Sequence, residues 1–146
     1  MDEELNLVEM ELREIQMKDD AIGSQIIVLG EKNGTREFPI FIGYTEALAL
    51  DLALHGYKNI RPMTHDLIYN LIDGLGAEVQ QVNVSDLRQD TFFGQLVLKT
   101  AQGELEVIDS RPSDAIVLAT KRQVPIFVAE HVLEQVLRHQ EDEEEG

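Results

Sequence analysis

The stretch Ile108-Asp109-Ser110-Arg111-Pro112-Ser113-Asp114-Ala115-Ile116 constrains the fold most tightly, because two periodicities meet in it. Leu105, Val107 and Asp109 interleave with Glu104, Glu106 and Ile108, the period-2 pattern of a strand that ends at Asp109. From Ala115 the run Ile116, Val117, Leu118 and Ala119 is too long and too alanine-rich for another strand, and it predicts a mostly buried helix to about Arg122. Pro112 suits the first turn, where a missing N–H costs nothing, and either Ser110 or Ser113 is expected to cap the free donors. Asp114 then favours the positive end of the helix dipole. Such a junction has two readings. Either it only starts a helix, with Arg111 paired to a nearby carboxylate, or Asp109, Arg111 and Asp114 converge there to form a site.

The pattern recurs upstream in Ile60-Arg61-Pro62-Met63-Thr64-His65-Asp66-Leu67, where Arg-Pro again leads through a hydroxyl residue and an aspartate into an apolar run. The two junctions either face one another or each start their own helix. Thr64 is the expected cap, Leu67, Ile68, Leu71, Ile72 and Leu75 the expected apolar stripe, and Gly74 and Gly76 the stop. An earlier helix is predicted over Glu46 to Leu54, capped by Thr45 and closed by Gly56. With so little polar surface, it is expected in the core or in a subunit contact.

Strands fill the rest. Val8, Met10 and Leu12 alternate on one parity and Ile15 and Met17 on the other, so a β-bulge is expected near Arg13-Glu14 of a first strand. A turn at Asp19-Asp20, a strand from Ser24 to Leu29, a hairpin turn at Asn33-Gly34 and a return strand from Arg36 to Ile42 follow. Pro39 marks the return strand as an edge or an irregularity. Val79, Val82 and Val84 begin another strand, the loop 86–90 joins it to Thr91 to Thr100, and Ile126 to Val128 form a short strand before a final helix striped by Val132, Leu133, Val136 and Leu137. Hairpins broken by single helices, without regular βαβ units, predict a single α+β domain: a mixed, largely antiparallel sheet packed against about four helices.

The two Arg-Pro junctions, together with Phe38-Pro39-Ile40-Phe41-Ile42-Gly43 and Glu46-Ala47, carry a resemblance. From about Met10 to about Leu137 the chain resembles the bifunctional nuclease domain proteins, a widespread bacterial group. The resemblance implies an α+β domain, a homo-oligomer, and nuclease activity on RNA and DNA. It transfers no catalytic residues, so the site is argued from local chemistry.

Composition bounds that chemistry. The 146 residues, 43% of them hydrophobic, suffice for one domain, placed at 1–140 with a disordered acidic tail at 141–146. The absence of cysteine excludes disulfides, thiolate zinc sites and a cysteine nucleophile. No apolar run approaches ~20 residues and no basic segment precedes one, which predicts a cytoplasmic protein without a membrane partner. The 28 acidic residues against 12 basic give a net charge of −16, which repels a polyanion overall. Part of that excess sits at Asp2-Glu3-Glu4 and in the C-terminal run, both expected to be disordered.

Phosphodiester hydrolysis calls for a base or an activated water, cations beside the phosphate and, commonly, a hard metal ion on carboxylate oxygens. The residues suited to those roles are Asp109 and Asp114 for Mg²⁺ or Mn²⁺, His65 or Asp66 for the proton, and Arg61 and Arg111 for the phosphate. Glu46, Thr64 and Ser113 are further candidates, while His55, His131 and His139 are expected at the surface. No H-x-H, H-E-x-x-H or D-x-D motif is present, nor a Gly-rich phosphate loop. From a different class, apolar helices and the exposed hairpin at Asn33-Gly34 fit a non-enzymatic oligomeric interaction or small-anion-binding module.

Overall fold

The structure, a computed structural model, describes residues 6–17 and 25–145. Seven strands form one sheet in the order β3-β2-β1-β7-β4-β5-β6. They are β1 (Leu7–Gln16), β2 (Gln25–Glu31), β3 (Glu37–Ile42), β4 (Glu78–Arg88), β5 (Thr91–Lys99), β6 (Leu105–Ser110) and β7 (Ile126–Ala129). Four helices complete the α+β domain: α1 (Tyr44–Leu54), α2 (Thr64–Gly74), α3 (Pro112–Arg122) and α4 (Glu130–Glu145). Every strand pairing is antiparallel except β4 with β7, as expected of a mixed sheet built from hairpins. Asp2-Glu3-Glu4 and the Asp19-Asp20 turn lie outside the described residues.

The sheet follows its sequence closely. Register shifts between Leu12 and Glu14, where the change of parity calls for a bulge. Pro39 lies in β3, an edge strand, where a missing N–H costs least. The expected loop at 86–90 is shorter. β4 runs on to Arg88 and the turn is Gln89-Asp90 alone, both residues left-handed (φ 50° and 61°), the form that matches the twist of a two-residue hairpin.

Helix caps differ from expectation. Thr45, Thr64, Ser110 and Ser113 cap nothing: the N-cap positions are Gly43, Met63 and Arg111, none with a side-chain cap. Thr64 lies one residue inside its helix, and Ser110 donates instead to the Arg111 carbonyl at 2.8 Å. At α2 an acid inside the helix does this work: Asp66 Oδ2 accepts the Met63 backbone N–H at 2.9 Å, while Glu46 and Asp114, likewise three residues past the cap, favour their helix starts by charge. The Glu141–Glu145 run, expected as a disordered tail, continues α4 to Glu145.

The core is centred on α3. Pro112 and every residue from Ala115 to Ala119 are buried, with α3 lying across β4 and β5 and packing on α1 and α2. The junction before it rests on Gly94 of β5, where an added Cβ would stand 2.9 Å from the Ser110 carbonyl oxygen and 3.0 Å from the Pro112 nitrogen. α1 buries only Ala47 and Leu50, less than its apolar sequence implied.

α2 docks on α3 through a polar ladder. His65 meets Asp114, the Tyr69 hydroxyl donates to the Leu118 carbonyl, and Arg122 donates both Nη groups to Asp73 at 2.8 and 2.7 Å. Each contact joins residues 49 apart, and successive rungs are one helical turn apart, so the two helices run parallel and in register. The guanidinium of Arg122 also covers the Tyr69 ring at 3.9 Å. The expected stripe of α2 therefore divides. Of its members Ile72 is buried and Ile68 half-buried, beside the buried Tyr69, whereas Leu67, Leu71 and Leu75 are 51%, 59% and 77% exposed, because they lie two positions from the ladder, nearly opposite on the helix.

Burial has pushed the Tyr69 hydroxyl up to about 12, so it stays a donor at any working pH. Tyr69→Phe is expected to lower stability by about 1 kcal/mol. In urea this would appear as a reduced midpoint with an unchanged slope.

Candidate functional site

The ladder brings the starts of three helices together around one guanidinium. Arg111 donates Nε to Asp114 Oδ2 at 2.9 Å and Nη2 to Glu46 Oε1 at 3.0 Å. The other oxygen of Asp114, Oδ1, lies 2.9 Å from His65 Nε2. The chain of contacts is thus Glu46, Arg111, Asp114, His65, drawn from α1, the β6–α3 junction, α3 and α2. Of the two readings of the paired Arg-Pro junctions, facing one another is the one the structure adopts, at least through His65 and Asp114.

With His65 Nε2–H donated to the carboxylate, the assignment this geometry favours, the lone pair is left on Nδ1. The imidazole is largely buried and lines a cavity of about 110 Å³, together with Tyr57, Asn59, Asp66 and Lys121. Beside it, Asp66 Oδ1 takes Lys121 Nζ at 2.7 Å, and Asn59 reaches Oδ2 at 3.5 Å.

The pairing sets the charges. Burial would push the Asp114 carboxyl up, but hydrogen bonds from Arg111 and His65 outweigh it and hold the group below the usual carboxylate range. Asp66 is lowered as well, by Lys121 first and the Met63 N–H second. Arg111 is raised by Asp114 and then Glu46, so it carries its charge throughout.

Of the remaining candidates, Asp109 and Arg61 lie elsewhere. Asp109 is exposed and opens onto a separate pocket with Ser85, Asp86, Arg88, Phe93 and Gln95. Strand alternation explains this: Ser110 faces the α3 side over Gly94, so its neighbour Asp109 faces away. The Asp109–Asp114 pair expected to share a cation is therefore not brought together, and among the described residues no group of three or more His, Asp or Glu is placed to hold one. Arg61 is exposed on the α1–α2 loop and makes no ion pair with a described residue. Thr64 lines the cavity of His65, whereas the Ser113 side chain makes no hydrogen bond among the described residues. Lys121, Asn59 and Tyr57 were not among the candidates. Lys121 was legible, since seven residues, nearly two full turns, separate it from Asp114 on one helix face.

Asp114 also gives the site a pH signature. Its folded pKa lies below its unfolded value of about 3.9, so its contribution to stability is present above that value and lost as pH falls through the folded pKa. Asp114→Asn is therefore expected to be less stable than the parent at pH 7, with the gap closing towards pH 3. Urea unfolding at both values checks it, and an equal gap at both would contradict the assignment.

Comparison with known proteins converges on one family. A family model described as the bifunctional nuclease domain matches residues 27–141. An uncharacterized protein of Mycobacterium tuberculosis is 41% identical over 110 residues, covering 75% of this chain and 65% of the relative. Bifunctional nuclease 1 of Arabidopsis thaliana is 30% identical over 109 residues, covering 73% of this chain and 34% of the relative. Bifunctional nuclease 1 of Oryza sativa subsp. japonica is 28% identical over 126 residues, 85% and 38% respectively. The chain thus spans less than two-thirds of the length of each of these relatives. The matched span takes in α1, α2, α3 and the whole network from Glu46 to Lys121, and by it the chain belongs to the bifunctional nuclease domain family.

Proposed function

We propose that this chain hydrolyses phosphodiester bonds of RNA or DNA at the His65–Asp114 pair. The observation that carries the reading is the 2.9 Å contact between His65 Nε2 and Asp114 Oδ1, with Arg111 on the second carboxylate oxygen and His65 on a cavity wall. Membership of the family and the names of its plant relatives support it.

Each residue has a task the geometry suits. Asp114 holds the imidazole and stabilises the imidazolium that forms when Nδ1 takes a proton from the attacking water. As the water's P–O bond forms, the P–O bond to the leaving sugar oxygen breaks, and that oxygen takes a proton from solvent. Arg111 spends Nε and Nη2 on carboxylates and keeps Nη1 without an acceptor among the described residues, so one edge of its fork is free for a phosphate oxygen. Lys121 neutralises Asp66 and keeps that carboxylate from repelling the same phosphate. Cation assistance by Mg²⁺ or Mn²⁺ belongs to the same reading. A hard cation commonly takes one or two carboxylates and completes its shell with substrate phosphate and water. Here His65 and Arg111 already hold both oxygens of Asp114, and Arg111 holds Oε1 of Glu46, so a cation on Asp114 would have to share its oxygens with them.

The test is cleavage of labelled RNA and single-stranded DNA by purified protein in Mg²⁺, Mn²⁺ or EDTA, alongside His65→Gln and Asp114→Asn. Both variants should keep the parent circular dichroism and lose about 10²- to 10⁴-fold in rate. Cleavage unchanged in either folded variant would falsify the assignment to this pair, and the EDTA arm reads the need for a cation directly.

Self-association is a second reading, favoured by two exposed apolar surfaces. Leu67, Leu71 and Leu75 form an apolar stripe left in solvent on α2, and β6 is an open edge strand with Leu105, Val107 and Ile108 exposed. A second copy of the chain, presenting its own leucine stripe across a two-fold axis, would cover that of α2. Leu71→Glu, on the side of α2 away from the ladder, is expected to shift the sedimentation mass of an oligomer towards the monomer without loss of helix content. An unchanged mass would exclude this surface.

A further inference from the structure

The loop joining α1 to α2 has a composition unlike the rest of the molecule. Residues 52–65 contain no Asp or Glu, nor do residues 115–129, in a chain with 28 acids. The fold places these two segments side by side. Tyr57, Lys58 and Asn59 from the first and Lys121 from the second line an open cavity of about 430 Å³. This cavity shares Tyr57, Asn59, Asp66 and Lys121 with the smaller one on whose wall His65 sits. Lys121 is offset by Asp66, so Lys58 and the neighbouring Arg61 leave this approach locally cationic in a protein that repels polyanions as a whole, and it leads to the imidazole.

The groups along that approach suit a particular ligand. Tyr57 is 66% exposed, and its ring is tilted against that of His55 with centroids 6.4 Å apart. Ile60 is fully exposed at 100%. Lys58 and Arg61 make no ion pair with described residues, so their charge is not already spent. An exposed aromatic face flanked by free cations binds unpaired bases by stacking and the flanking phosphates by charge. A duplex, with its bases already stacked inside, gains only the second term.

We propose that the α1–α2 loop is the binding surface for single-stranded nucleic acid, with a base stacked on Tyr57 and adjacent phosphates on Lys58 and Arg61. The strand then crosses the shared cavity wall at Asn59 and Lys121, which brings a phosphodiester to His65. The proposal rests on the nuclease reading and adds to it the strandedness of the substrate and the residues that select it.

The experiment is fluorescence anisotropy with a labelled single strand of about 12 nucleotides and the matching duplex, using the His65→Gln chain so that binding is read apart from cleavage. The single strand should bind at least tenfold tighter than the duplex. Tyr57→Ala should weaken it by roughly tenfold, the scale of one stacked base. Lys58→Gln with Arg61→Gln should weaken it further and flatten the dependence of log K on log salt by about 0.7 per lost contact. Duplex bound as tightly as single strand, no binding, or loop variants with parent affinity would each overturn the proposal. Cleavage by the parent alongside unchanged loop variants sinks the loop and leaves the His65–Asp114 reading standing. Selective single-strand binding without cleavage by the parent does the reverse.

Discussion

The in-register docking of α2 on α3 is the constraint on which the rest depends. Three contacts, each joining residues 49 apart at one-turn intervals, fix both the depth and the rotation of one helix against the other. A buried Tyr69 hydroxyl without its carbonyl would be costly, so the middle rung penalises any slide or roll of α2. The outer rung, Asp73 with Arg122, is exposed and adds little by itself, yet its two parallel hydrogen bonds fix an orientation. The first rung is the one the proposed chemistry uses. His65 meets Asp114 because Tyr69 and Asp73 have already set where α2 lies.

The same geometry decides the electrostatics. Three acids occupy the first turns of three helices, and left alone they would repel both one another and a phosphate. Arg111 neutralises two of them and Lys121 the third, so the negative excess of the molecule does not extend into the site. Arg111 is itself 64% exposed, which weakens each of its ion pairs but leaves the guanidinium reachable. A site with paired carboxylates and accessible cations is compatible with a polyanionic substrate even where the whole protein, at −16, is not.

The sequence was most readable where one periodicity operates alone. The bulge at Leu12/Glu14, the edge position of β3 with Pro39, and the change from strand to buried helix at Ser110–Pro112 follow directly from side-chain alternation and proline chemistry. It was less readable where two faces of one helix have the same spacing. On α2, residues 67, 71 and 75 are apolar and residues 65, 69 and 73 are His, Tyr and Asp, both sets four apart. Hydrophobicity favours the first set, whereas the partners waiting on α3 select the second. Hydroxyls near the helix starts mislead for a related reason: they are a local signal, and at α2 it is Asp66, three residues past the cap, that takes the backbone N–H. Asp109 and Asp114 lie five residues apart in sequence, yet the parity of β6 turns Asp109 to the opposite side.

The division of α2 also relates the two readings of function. Its ladder face belongs to α3 and its N-terminal end to the site, so only the leucine face and the preceding loop remain for partners. These surfaces differ in chemistry: Leu71 and Leu75 lie towards the helix C-terminus without a cation of their own, while Tyr57, Lys58 and Arg61 precede the helix in an acid-free segment. A second copy seated on the leucine face would hold α2 from the side opposite the ladder and leave the loop open to solvent. The proposed catalysis and the proposed self-association therefore do not compete for the same residues. An oligomer built this way would stabilise the helix that carries His65, and the interaction-module reading then describes the scaffold of the nuclease rather than an alternative to it.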